Sequence, residues 1–96
     1  MQDEAFEWDD VKAAQNERDH GVMFEMARDA FRDMFALEWF DDRQEAREQR
    51  YCMVGAVEDR ILFVSYTLRN DRIRIISARK AEPHERRRYH EENREA

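Results

Sequence analysis

Ninety-six residues provide for one folded core and are too few for two that stand alone. Charged and apolar residues each make up 42% of the chain, a balance that folds rather than stays disordered, while a single cysteine excludes an internal disulfide and two glycines exclude a phosphate-cradling loop. The net charge is −6, yet residues 1–59 hold 7 basic and 17 acidic side chains and residues 60–96 hold 10 and 6, which suggests an anionic ligand for one surface and a basic partner for another.

The opening MQDEAFEW has no apolar h-region, and no apolar run approaches the roughly 18 residues of a membrane span. A cytoplasmic, single-domain protein over 1–96 with no membrane segment is expected. Phe6 and Trp8 alternate in a short strand, after which Asp9 or Asp10 can cap a helix over DVKAAQNERD. Gly21 suits the left-handed position that closes that helix, with His20 at the negative end of its dipole. From Met23 to Phe35, apolar residues recur at spacings of three and four and predict a second helix whose Met and Phe side chains are core packing.

The pattern then changes to strands. ALEWF is followed by the polar loop DDRQEAREQ, then by RYCMVGAV, RILFVSYTL and RIRIISA. Cys52 lies inside an apolar run and reads as a small hydrophobe. Asn70 and Asp71 tolerate the positive φ of a tight hairpin, so an antiparallel meander is the simplest arrangement. Pro83 and Glu85 open a polar last helix, about 83–95, whose one large apolar side chain is Tyr89 and whose Arg87–Glu91 and Arg88–Glu92 spacings suit weak ion pairs.

The stretch DRIRIISARKAEPHERRRYH, residues 71–90, holds seven permanent cations in an acidic protein. Arg72 and Arg74 share one strand face and Ile73 and Ile75 the other; strict alternation would add Ile76, Ala78 and Lys80 to the arginine face and Ser77 and Arg79 to the opposite one, unless a bulge near Ser77 intervenes. Ser65, Thr67 and Arg69 would lie beside the arginines across the hairpin. Guanidinium forks on a rigid sheet face suit phosphate, although a solvated, salt-bridged face is the simpler reading of the same residues. No HExxH or paired-cysteine motif points to a metal, no GxSxG elbow to a serine nucleophile, and no cofactor is expected.

The chain resembles the BrnT family of bacterial type II toxins, ribonucleases with a RelE-like fold, over roughly residues 6–90. The resemblance is carried by FEWD at 6–9, Lys12-Ala13, Asn16, HGV at 20–22, Phe24, Ala27, Phe31, Tyr66-Thr67, Arg69, RIISARKA at 74–81, Glu85-Arg86 and Tyr89. Asp19, where a basic residue is common, and Asn70, where a turn glycine is common, depart from the pattern. It implies an α+β fold with a short first strand and two N-terminal helices packed on an antiparallel sheet, and a C-terminal helix. It also implies metal-independent RNA cleavage by a 2′-hydroxyl. Such a reaction needs a proton acceptor, a donor and cations at the phosphorane. Arg74 and Arg79 are the expected phosphate stabilisers, with Arg69 and Lys80 positioning the backbone. His20 serves either as acid or base or merely as a helix cap, and Tyr89 either contacts the substrate or anchors the last helix. The implied partner is a BrnA-like ribbon-helix-helix antitoxin in a two-toxin, two-antitoxin complex that reaches operator DNA only through the antitoxin. The acidic first portion or the last helix would provide the antitoxin surface. The competing reading is a non-catalytic module that binds protein or nucleic acid through the basic face.

Overall fold

The computed structural model describes residues 1–42 and 48–94. The elements run β1 (Phe6–Glu7), α1 (Asp10–His20), α2 (Phe24–Ala30), β2 (Leu37–Asp41), β3 (Arg50–Val57), β4 (Arg60–Arg69), β5 (Arg72–Lys80) and α3 (Pro83–Glu92). Their local causes are those expected. Asp9 accepts from the backbone N–H groups of Val11 and Lys12 to start α1, and Gly21 ends it at φ 69°. Asn70 and Asp71 turn the β4–β5 hairpin with φ of 52° and 63°. Most of the polar segment after β2, and the end of the chain beyond Arg94, lie outside the described residues.

The five strands form one sheet in the order β1-β5-β4-β3-β2. β2 to β5 are an antiparallel meander, but β1 runs parallel to β5, pairing Phe6 with Ile73 and Glu7 with Arg74. The sheet is therefore mixed, a correction to the all-antiparallel expectation: α1 and α2 intervene between the first strand and the rest, so β1 enters from the far edge.

α1 and α2 cover one face, burying Val22, Phe24, Ala27 and Ala30 against Met53, Leu62, Val64, Ile75 and Ala78. The buried Asn16 ties α1 to β5: its Nδ2 donates to Ala78 O (2.8 Å) and Val22 O (2.9 Å), and its Oδ1 accepts from Ala78 N (3.1 Å). α3 lies on the other face, where Tyr89 and Ala81 pack with Cys52, Val54 and Phe63. Cys52 is fully buried, as a small hydrophobe should be.

α2 is shorter than its periodicity predicts. It stops at Ala30, and Met34 is 86% exposed instead of buried. Asp33 draws the chain away, accepting from Phe35 N (2.9 Å), from Ala56 N (2.8 Å) and from the Tyr89 hydroxyl (2.6 Å). Long-range hydrogen bonds to a carboxylate thus override a local helical pattern. Among the described residues, no helix is long and apolar enough to cross a membrane.

Candidate functional site

A bulge sets the face of every basic residue on β5. Ser65 pairs with Ser77 but Tyr66 pairs with Ile75, so Ile76 is the extra residue. Beyond it the alternation inverts. Arg79 and Ser77 join Arg74 on the α3 face, and Ala78 turns to the helix pair, opposite to strict alternation. Ser65 and Thr67 stand beside them as the hairpin reading expected, paired with Ser77 and Arg74.

The register then aligns one residue from each strand. Glu7 pairs with Arg74, Arg74 with Thr67, Thr67 with Arg50 and Arg50 with Asp41. Directly paired residues point to the same side. A row Glu7, Arg74, Thr67, Arg50, Asp41 therefore crosses the α3 face of all five strands, spanning about 19 Å at the usual strand separation. Charged side chains rarely enter a sheet this far without a partner or a task. The Arg74 guanidinium lies 3.6 Å from the Glu7 carboxylate, with side-chain exposures of 26% and 10%. Glu7 Oε1 is enclosed and has no hydrogen-bond partner among the described residues. Asp41 is buried, with an oxygen 3.7 Å from the Cys52 sulfur.

Two residues farther along β4, the next row on this face is Ser77, Ser65, Cys52 and Trp39, and beyond it stand Arg79, Phe63, Val54 and Leu37 under α3. The Arg79 and Arg74 rows are about 13 Å apart along the sheet. Glu85 of α3 grips Arg79 with both oxygens, at 2.8 and 3.0 Å, and also accepts from Glu82 N at 2.7 Å. Burial pushes the Glu85 carboxyl up, but the Arg79 fork and the Glu82 N–H outweigh it and hold the group below its ordinary range. The Glu85 hydrogen bonds raise the Arg79 pKa.

The structure thus brings Arg74 and Arg79 to one face, each with a carboxylate beside it. Arg69 is paired with Glu48. Lys80 is exposed; its carbonyl accepts from the Arg79 guanidinium at 3.2 Å, and its ammonium makes no hydrogen bond or ion pair among the described residues. Tyr89 is buried with its hydroxyl given to Asp33, which is the anchoring role. His20 is exposed one turn, about 5.4 Å, beyond Asn16 on α1, with no hydrogen bond or ion pair to the arginines. Of the two helix pairs expected on α3, Arg88–Glu92 is present at 3.9 Å.

Sequence reasoning missed Glu7 and Arg50. Both carried a legible signal: Glu7 sits between the core aromatics Phe6 and Trp8, where period two sends it to the other face, and Arg50 heads an otherwise apolar strand. Among the described residues no three His, Cys, Asp or Glu side chains converge as a metal ion would require.

A family model described as "Ribonuclease toxin, BrnT, of type II toxin-antitoxin system" matches residues 8–85. No curated protein matches the chain.

Proposed function

The chain belongs to the BrnT family of ribonuclease toxins of type II toxin-antitoxin systems, and from that premise we propose that it cleaves RNA without a metal at the Glu7–Arg74 row. The observation that carries the reading is the Glu7 carboxylate, 10% exposed and held 3.6 Å from the Arg74 guanidinium on the α3 face of the sheet. Its Oε2, the oxygen turned toward Arg74, is an acceptor for the proton of a ribose 2′-hydroxyl. The freed oxygen attacks the adjacent phosphorus, the bond to the 5′ oxygen breaks, and that oxygen takes a proton from a solvent water as it leaves as a hydroxyl. The products are a 2′,3′-cyclic phosphate and a 5′-hydroxyl end. Arg74, with Arg50 across Thr67, faces the phosphorane oxygens as their charge develops. The acceptor role expected of His20 passes to Glu7, because Glu7 shares the row with Arg74 and His20 does not. Arg79 serves a second position along the strand.

Cleavage of this kind would stop translation. The partner that restrains it is a BrnA-like ribbon-helix-helix antitoxin in a two-to-two complex, and the α+β arrangement with α3 laid on the sheet accords with a RelE-like toxin acting in the cytoplasm. The rival, a non-catalytic binding face, draws on the ion pairing of Arg69, Arg74 and Arg79.

The test is cleavage of a short RNA by the purified chain in excess chelator, with the product ends identified by mass spectrometry. Cyclic phosphate ends are expected, with a rate about 10²- to 10⁴-fold lower in the isosteric Glu7→Gln. Full activity in folded Glu7→Gln removes the row assignment, and intact RNA with wild type favours the binding module.

A further inference from the structure

We propose that the cleft between α3 and the sheet receives one unpaired nucleobase of the RNA. This rests on the ribonuclease reading and adds a subsite to it. The cleft is about 250 Å³ and is lined by Trp39 and Phe63 from the sheet, with Arg79, His84, Glu85 and Arg88 around them. That volume falls below the roughly 300–1,000 Å³ of sites for drug-sized ligands, and suits a single planar ring system.

Its walls are flat. Trp39 and Phe63 meet edge to face, 5.9 Å apart at 61°. The Arg79 guanidinium lies 4.2 Å from the Phe63 ring centre and that of Arg88 5.6 Å from the Trp39 centre. Aromatic rings and guanidinium planes are the two surfaces on which proteins stack unpaired bases. Glu85 holds Arg79 in plane by its double hydrogen bond, so this platform is fixed before any ligand arrives. Arg88, by contrast, is exposed, with only a 3.9 Å contact to Glu92 and its place over the Trp39 ring to hold it, leaving it able to shift and close over a base.

Charge distinguishes a base from a phosphate here. Arg79 is already neutralised by Glu85 at 2.8 Å, with the Glu82 carboxylate 3.6 Å from the same guanidinium. A neutral ring with polar edges suits this cleft better than an anion, and His84 and Arg88 at the rim supply groups for those edges. The Arg74 row lies about 13 Å along the same face, so the base held under α3 belongs to a nucleotide neighbouring the ribose that is cut. The cleft is then a specificity subsite, separate from the chemistry.

The experiment uses the whole chain and a tetranucleotide RNA bearing 2′-O-methyl groups, which binds but cannot be cut. Trp8 is 4% exposed in the opposite core, so fluorescence quenching on binding reports Trp39. Quenching is expected. Measured by anisotropy of the end-labelled RNA, Trp39→Leu and the exposed Arg88→Ala each weaken binding, Trp39→Leu by roughly tenfold or more, and Trp39→Phe restores most of it. One abasic position in the RNA should reproduce the Trp39→Leu loss and add nothing to it. Unchanged RNA affinity in folded Trp39→Leu and Arg88→Ala overturns the proposal, as does a loss confined to antitoxin binding. Cyclic phosphate production that persists alongside either result leaves the Glu7–Arg74 reading intact. Quenching without any cleavage by wild type on unmodified RNA sinks that reading alone.

Discussion

Replacing Tyr89 by phenylalanine removes one oxygen and separates anchoring from catalysis. The hydroxyl donates to Asp33 Oδ2 at 2.6 Å, while the ring is 8% exposed against the second core and stays in place in the variant. Hydrogen bonds to charged groups contribute about 1.5–3 kcal/mol. Asp33 keeps the N–H groups of Ala56 and Phe35, so its carboxylate is not stranded and the loss belongs at the low end, about 1.5–2 kcal/mol. Urea slopes of about 1–3 kcal/mol per molar turn that into a midpoint lower by roughly 1 M. The pH dependence has a definite sign. Burial pushes the Asp33 carboxyl up, but the hydrogen bonds from Tyr89, Ala56 and Phe35 outweigh it and hold the group below 3.8. A depressed carboxyl contributes stability that is present above its unfolded value and lost as pH falls through the folded one. The gap between wild type and Tyr89→Phe should be full above about pH 4 and close as the solution is made more acidic. Burial and the Asp33 charge push the Tyr89 hydroxyl to about 12, so it remains a donor throughout. Urea titrations of both proteins between pH 2 and 7 check this, with RNA cleavage per folded molecule expected to be equal. Identical midpoints, a gap that persists undiminished at the acid end, or a selective loss of cleavage would each refute the reasoning.

Asn16→Ala leaves Ala78 N–H, Ala78 C=O and Val22 C=O without their side-chain partner in a buried setting, at about 1–3 kcal/mol for each group left unsatisfied. Urea midpoints should fall well below those of Tyr89→Phe, and hydrogen exchange at the Ala78 amide should accelerate; retained protection there would contradict the assignment. Gly55→Ala places a Cβ 2.9 Å from the Ala30 carbonyl oxygen and 3.0 Å from Met53 Cε, and the backbone carbonyl cannot move without α2. A loss of about 1–3 kcal/mol is expected by denaturation, and an unchanged midpoint would show that α2 rides more loosely on β3.

The strands and the last hairpin were legible because period-two alternation and the Asn70-Asp71 pair are local signals, as were the Asp9 and Gly21 ends of α1. What escaped depends on partners distant in the chain. Nothing near Phe6 announces that it will lie parallel to Ile73. The end of α2 is decided by Asp33 meeting Ala56 and Tyr89, 23 and 56 residues away. Arg79 reaches the same face as Arg74 only through the bulge at Ile76, where no glycine marks the irregularity. Glu7 carried the period-two signal of its place between Phe6 and Trp8, but that signal gives only its face, and its burial came from the sheet closing around it.

The Asn16 side chain has a consequence for self-association. A free strand rim is a template on which other chains polymerise. β1 seals that rim at Ile73 and Arg74, and the Asn16 amide occupies both polar groups of Ala78 farther along, as a neighbouring strand would. The β5 border is therefore closed to a foreign strand, and a lesion at position 16 would open it as a front for aggregation.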